Sequence, residues 1–455
     1  MSGLRQEIRL PGMIAMAAGG MIAAWQVEIK YWFEVAGAGA AFSLLFCAIL
    51  VLPLCFIYSE MTSMMPYAGG QNIWISNAFG WNIGFVACWL IMLLYVMAMP
   101  TVAFGISSML GYIFPITSMQ TKIVAAIILV LWYFLTNFEL KILTKLQNLF
   151  FWSTLVIAVA ADIIFICSGH WSFDNLDWFP NGMSGCAAAV GLLIMKFVGF
   201  DLIPQLSEEA NFPKKDLWKA FVLSLACTVL VYGLAVVAVG GIVSLEWIAE
   251  TDIVDPRVAD IIGLHGLGYV IVIMGILTCI TTISSFWLSA SRILYGAAKQ
   301  HQMTGRLAVL NKNGQPKLAN LIVGIFAMYF TIFAPEAWVN YMYTIYGLAA
   351  GGVYLLVALS FFKIRKEHPE WERPYRVRAG TLMGVIAILF CIWVLYTNAL
   401  GMTPGAWVVF VVYAAVGVLL WAFAKSQQKR HPKEWAPVVI NPDTVKREEA
   451  SKLDL

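Results

Sequence analysis

Residues 196–215 read Lys196-Phe197-Val198-Gly199-Phe200-Asp201-Leu202-Ile203-Pro204-Gln205-Leu206-Ser207-Glu208-Glu209-Ala210-Asn211-Phe212-Pro213-Lys214-Lys215. The first half closes an apolar run that begins near residue 185, yet it carries Gly199, Pro204, Lys196 and Asp201. A helix in lipid must satisfy its own backbone hydrogen bonds, so a Gly and a Pro at mid-depth predict a deliberate interruption. Interrupted helices at the bilayer midplane are where secondary transporters hold their substrates.

The rest of the chain supports a membrane setting. Of 455 residues, 61% are hydrophobic and 12% charged, with a mean hydropathy of +0.79. A soluble domain carries about 25% charged residues. The net charge of +3 gives no reason to expect a nucleic-acid partner; the expected partner is the lipid bilayer. Twelve apolar spans are expected, near 10–27, 36–62, 80–112, 121–139, 147–168, 185–207, 217–243, 267–297, 319–335, 338–362, 379–398 and 405–424. With both termini on the cytoplasmic side, 25 Lys and Arg fall inside, 3 outside (Lys30, Lys122, Arg257), and Lys196 within a span. That asymmetry fixes the orientation by the positive-inside rule and predicts a multi-pass plasma-membrane protein, in the inner membrane if the cell is bacterial. The short basic lead before the first span reads as uncleaved.

The expected fold is therefore an all-α membrane protein. Span 1 contains Ala17-Ala18-Gly19-Gly20, and span 6 contains Val198-Gly199-Phe200-Asp201. These breaks recur five spans apart in spans of opposite direction, as in an inverted repeat. The organisation that follows is 1–168 as a first repeat (spans 1–5) and 185–363 as a second (spans 6–10). Residues 378–424 form peripheral spans 11 and 12, and 425–455 a cytoplasmic tail.

Four segments then resemble the amino acid–polyamine–organocation (APC) superfamily of permeases. Glu60-Met61-Thr62-Ser63-Met64-Met65-Pro66-Tyr67-Ala68-Gly69-Gly70 with Phe79-Gly80-Trp81 resembles its E-x5-P-x2-G-G segment and aromatic-Gly pair. Gly199-Phe200-Asp201 with Glu208-Glu209 and Pro213-Lys214 resembles its "GFD…EE…NP-K" pattern, with Phe212 inserted between Asn211 and Pro213. Ser289-Ala290-Ser291-Arg292 with Gly314-Gln315-Pro316, and Arg373-Pro374-Tyr375-Arg376, follow in the family's order. The resemblance implies a leucine-transporter-like fold of two inverted five-helix repeats, with discontinuous helices 1 and 6 and twelve transmembrane helices. It also implies alternating access around a site between spans 1, 3, 6, 8 and 10.

The family's first break is usually a glycine-rich run whose N–H groups hold a substrate carboxylate. Here Ile22-Ala23-Ala24-Trp25-Gln26-Val27 aligns with that run, and Trp25 stands at its second glycine, where it would crowd or cap a carboxylate pocket. Alternatively the break has moved to Gly19-Gly20. Either departure points toward an unusual substrate, such as an amine without an α-carboxylate. The expected substrate-binding residues are Gly19, Gly20, Met21, Ile22, Trp25, Phe197, Gly199, Phe200, Asp201, Tyr95 and Tyr343. Stripes in span 3 (Trp89, Met92, Tyr95, Met99) and span 10 (Asn340, Tyr343, Tyr346) supply packing and aromatics that exclude water.

Lys196 costs roughly 2.5–3.5 kcal/mol at mid-bilayer unless paired or hydrated. Two readings stand: a substrate or coupling group that titrates, or a salt bridge to Asp201 or Asp162. Asp201 binds a substrate amine or caps the broken helix. Asp162 is expected near the interface in water. Glu208, Glu209 and Glu60 are expected at the inner mouth as gate or packing ion pairs with Arg292. Thr278, Thr281, Thr282, Ser284 and Ser285 of span 8 either face the first break as a sodium site, with Ser284 and Ser285 as coupling residues, or back-bond to their own helix. The coupling ion is expected to be a proton, with sodium the alternative.

No cofactor or metal is expected. The eight cysteines lie in or beside apolar spans without a CxxC pair, read as filler, though Cys167 and Cys186 could face one outer loop and pair. The five histidines lie in loops or the tail without metal spacing. A membrane enzyme would need a nucleophile–base or metal cluster that is absent here, and a channel would need a filter ring. The expected function is a secondary transporter for amino acids or related amines, with exchange as the alternative mode and a non-transporting membrane sensor as the reading outside that class.

Overall fold

The computed structural model describes residues 4–334 and 338–444, with side chains from 341 onward in the second stretch, so Asn340 and the end of the tail lie outside the described side chains. The described residues are almost entirely helical, with one isolated parallel bridge, Ile8 to Ala210.

Helix α1 (Leu10–Met21) ends at Ile22, and α2 (Trp25–Ala36) starts three residues later. A turn leads into α3 (Ala40–Met64), followed by α4 (Gln71–Phe79), α5 (Trp81–Leu110), α6 (Ser118–Leu135) and α7 (Leu140–Cys167). Helix α8 (Gly182–Leu193) tightens to a 3₁₀ turn at Ile194–Phe197, opens at Val198–Gly199, and resumes through a 3₁₀ turn into α9 (Ile203–Leu206). Then come α10 (Leu217–Gly240), two short helices α11 (Leu245–Glu250) and α12 (Val254–Ile261), and α13 (His265–Lys299). The chain finishes with α14 (Lys317–Ile332), α15 (Trp338–Glu367), α16 (Gly380–Gly401) and α17 (Pro404–Arg430).

Among the described residues, ten helical stretches are long and apolar enough to cross a membrane, so this is a multi-pass membrane protein. Helices α1 and α14, expected as full spans, are shorter apolar helices.

The packing is inverted relative to a soluble protein. Along α6, Ile123, Ile127, Leu131 and Phe134 are exposed at helical spacing, a face suited to lipid. Along α7 the buried face carries Thr144, Gln147, Thr154 and Asp162. Polar groups thus turn inward, away from the lipid-facing side. Helices α5 and α13 are buried along most of their length and form the centre with α1 and α15, whereas α16 and α17 show long apolar faces at the periphery. The eight cysteines are unpaired, and no bridge joins Cys167, exposed, to Cys186, buried, the alternative to the filler reading.

Both described termini sit at one end of the bundle. Ile8 and Glu7 donate their N–H groups to Glu209 O at 3.0 and 3.1 Å. The tail crosses the same end. His301 Nδ1 lies 2.7 Å from Ala436 O, Asn77 donates to Ile440 O at 2.8 Å, and Trp371 donates its indole N–H to Asp443 at 3.1 Å.

Candidate functional site

The two interruptions meet back to back. A Cβ on Gly199 would lie 2.9 Å from Met21 N and 3.1 Å from Ala17 O, and its φ of +143° is a region L side chains rarely adopt. Only glycine allows the second break to press against the end of α1. The first break opens at Ile22–Ala24, and Gly19 and Gly20 are ordinary helix, so the Gly19-Gly20 alternative is corrected. Ala24 takes a left-handed conformation (φ 53°, ψ 15°). That costs a non-glycine residue roughly 1–2 kcal/mol, a strain typical of functional sites.

The break's polar backbone is partly satisfied from α10. The Tyr232 hydroxyl donates to Met21 O at 2.6 Å and accepts from Ala23 N at 2.9 Å. Trp25 does not cap a pocket here. Its indole donates to Asp255 on α12 at 3.0 Å, and its ring meets Tyr232 edge-on at 6.0 Å.

Between the breaks lies a small cavity of about 30 Å³, walled by residues of the first break, α2, α5, the second break, α13 and α15. Gly20, Met21 and Lys196 of the expected set line it; Gly19, Ile22, Trp25, Phe197, Gly199, Phe200, Asp201, Tyr95, Tyr343, Ser284 and Ser285 do not. Many of these stand just behind the wall. Tyr343 lies 5.9 Å from the Lys196 ammonium. Phe200 packs on Tyr58 and Tyr354, and Ile22, Phe197 and Ser284 are buried. Trp89 is turned away, stacked on Tyr413 of α17 at 4.5 Å.

Lys196 is buried and pairs with neither Asp201 nor Asp162. Its partner is Glu28 on α2, also buried, at salt-bridge contact. Its ammonium also lies 3.4 Å from Ala23 O and 5.7 and 5.4 Å from the Trp32 and Tyr232 rings. Glu28 was missed because the first span was expected to end at residue 27. The signal was present: Trp25, Glu28, Ile29 and Trp32 share one helical face, so Glu28 interrupts an apolar stripe.

Asp201 caps its own break. Its carboxylate accepts Gly199 N–H at 2.9 Å, and its carbonyl accepts the Tyr95 hydroxyl at 2.7 Å and the Gln71 amide at 3.0 Å. Asp162, expected in water, is buried, with an oxygen that finds no partner among the described residues. Asp255 is likewise buried, with one such oxygen, and burial pushes its carboxyl up to about 7.

The hydroxyl row of α13 mostly bonds to backbone. Thr281 and Thr282 donate to Gly19 O at 3.3 and 2.6 Å, and Ser285 to Thr281 O at 2.9 Å. Gln147 fills the gap between α1, α7 and α13, and its amide reaches Ala15 O, Thr281 O and Ser285 Oγ at 3.0, 3.2 and 3.0 Å.

At the terminal end the glutamates have separate partners. Glu209 forms a two-point bridge with Arg292 (2.7 and 3.2 Å), while Arg292 also donates to Gln315 Oε1 at 2.9 Å. Glu208 instead accepts Ala68 N–H at 2.9 Å. Glu60 pairs with Arg365 and Arg373 rather than Arg292, and accepts Val377 N–H at 2.7 Å. The ion-pair partner expected for Glu60 and Glu208 is thus corrected.

Comparison with known proteins completes the description. The family described as amino acid permease matches residues 9–421. This chain belongs to the amino acid permease family. Similar proteins include the methylthioribose transporter of Bacillus subtilis (strain 168), 25% identical over 413 residues that cover 85% of this chain and 87% of that one. The branched-chain amino acid permease BcaP of the same organism is 21% identical over 85% of each chain. Its aspartate-proton symporter is 20% identical over 90% of this chain and 83% of the relative. This permease is therefore a membrane transporter by family, and its relatives include carriers named for amino acids.

Proposed function

We propose that this permease is a secondary active transporter of amino acids or closely related solutes, working by alternating access with a proton as the coupling ion. The observation that carries this reading is the pair of interruptions pressed together around a small cavity with a charge pair on its wall. At about 30 Å³ the cavity holds a water or two, so it must widen to take an amino acid. The two breaks support an arrangement of twelve spans in two inverted repeats, 1–168 and 185–363, with 378–424 peripheral and 425–455 as tail. In that arrangement α1–α2 and α8–α9 are the discontinuous first helices, and the Lys and Arg distribution supports an orientation with both termini in the cytoplasm.

In this reading Gly20, Met21 and Lys196 touch the solute directly. Gly19, Ile22, Trp25, Phe197, Gly199, Phe200, Asp201, Tyr95 and Tyr343 shape the breaks behind them. Glu60, Glu208, Glu209 and Arg292 form the inner gate. A proton is favoured over sodium because the α13 hydroxyls nearest the first break are engaged by Gly19 O, by carbonyls of their own helix and by the neutral Gln147 amide, while Asp162 and Asp255 have oxygens without a partner among the described residues, able to take a proton. That leaves Ser284 and Ser285 as helix-packing groups and Lys196 as the residue through which the solute senses the site.

The test is uptake into liposomes carrying the purified protein, with a panel of amino acids and polyamines under an imposed pH or sodium gradient. Amino acid accumulation driven by an inward proton gradient, and unaffected by sodium, is expected. No uptake above protein-free liposomes for any compound would end the transporter reading; accumulation that requires sodium would replace the proton.

A further inference from the structure

We infer that Lys196 and Glu28 are exchange partners for the two charges of a zwitterion: on binding, the solute's carboxylate replaces Glu28 on Lys196, and its ammonium replaces Lys196 on Glu28. The inference deepens the transport reading above and rests on it. Both groups line the same cavity, and among the described residues they are the two charged side chains on its wall. They come from opposite sides, Glu28 from the first turn of α2 and Lys196 from the last turn before the second break. The first break therefore brings a negative charge and the second a positive one to the gap between them.

The energetics favour exchange over simple addition. An isolated charge in the interior costs several kcal/mol, whereas paired charges recover most of that. When a zwitterion enters, the pair opens but neither buried charge is left alone. A monoamine would satisfy Glu28 and strand Lys196; a monocarboxylate would do the reverse. Discrimination against either follows from the group left unpaired, the strongest kind of selectivity a polar site offers.

The backbone of the first break points the same way. Its Ile22 N–H is bonded to Ala18 O and its Ala23 N–H to Tyr232, so two donors that could hold a carboxylate are engaged, and Lys196 takes over that task. Glu28 in the first turn of α2 sits where a helix N-terminus favours negative charge, which suits it to face an ammonium. The remaining wall is mostly apolar, with Met21, Ala98, Val102, Met195, Phe286 and Met342 beside the hydroxyl-bearing Thr101, Thr282 and Tyr346, and suits an aliphatic or thioether side chain. The expected class is a neutral, zwitterionic, apolar amino acid. An amine without a carboxylate, the substrate suggested by Trp25 in the sequence, is disfavoured.

The probes are leucine, isopentylamine and 4-methylpentanoate, which share a side chain and differ in charge. Wild-type protein in liposomes is expected to take up leucine, with neither analogue competing at a hundredfold excess. Lys196→Met should weaken leucine by about 100-fold and let isopentylamine compete; Glu28→Gln should weaken leucine similarly and let 4-methylpentanoate compete. These gains cannot come from general damage. If either single variant fails to fold, Lys196→Met/Glu28→Gln, which buries no charge, is expected to fold and to lose the preference for leucine over both analogues. Leucine uptake in the variants equal to wild type overturns the exchange and leaves the transport reading standing. Wild-type uptake of no amino acid at all overturns both.

Discussion

Arg292→Met tests whether the inner gate is held by a charge pair. Arg292 is buried, and three of its hydrogen bonds go to Glu209 and Gln315. Removing it leaves the Glu209 carboxylate buried without a cation, which costs about 3–5 kcal/mol. Because that cost applies only while the gate is shut, the open population should rise by at least about 100-fold. The readout is a cysteine at Ser289, buried one helical turn toward the centre from Arg292, in protein whose exposed Cys167 and half-buried Cys227 are serine. A membrane-impermeant maleimide on the inner side reacts with it only through opened molecules. A rise of that order is expected in Arg292→Met, and most of it should disappear in Arg292→Met/Glu209→Gln, where no charge is left unpaired. A labelling rate within twofold of the parent for the single variant would refute the gate and reduce the pair to packing.

Three further outcomes follow. Uptake should be the same in sodium and choline buffers, and Gln147→Ala, which frees Ala15 O and Thr281 O, should weaken the α1–α13 contact and lower the thermal midpoint by the equivalent of about 1–3 kcal/mol without creating sodium dependence. Asp255, with its carboxyl raised to about 7, is neutral in the folded protein below that pH but ionised in the unfolded chain above about 4. Stability should therefore fall as pH rises from 4 to 7, by on the order of 4 kcal/mol, and then level off; Asp255→Asn keeps an acceptor for Trp25 and should flatten the profile, read as thermal midpoints between pH 5 and 8. Gly199→Ala places a methyl against Met21 and Ala17 at a φ of +143°, and should destabilise the protein by about 1–3 kcal/mol with a larger loss of uptake, measured as thermal midpoint and initial rate.

The second break was legible because its glycine, proline and ionisable residues all stand inside one apolar run. The first was harder to place. Gly19-Gly20 looked like the weak point, but those glycines serve close packing against Leu202 and Gln147, and the helix opens at an alanine in a left-handed conformation. No residue type marks that position; the resemblance did, by aligning residues 22–27 with the family's glycine-rich run. Lys196 was conspicuous and its partner was not. Glu28 stands among Lys30 and Glu34, which reads as a solvated loop until the helical face shared with Trp25 and Trp32 is counted. The gate glutamates were recognisable as a group, but which arginine each one meets depends on tertiary approach, as Glu60 illustrates by reaching across 305 positions to Arg365.

The carboxy-terminal tail leans on three places far apart in sequence: Asn77 on α4, His301 just past α13, and Trp371 in the link before α16. A single ribbon stitched to three rims cannot stay attached to all of them if the rims part. Opening on this side must therefore proceed either with the rims swinging as one body or with a stitch undone. The tail thereby makes the movement of this mouth collective, and any fusion partner attached beyond it would ride directly on that motion.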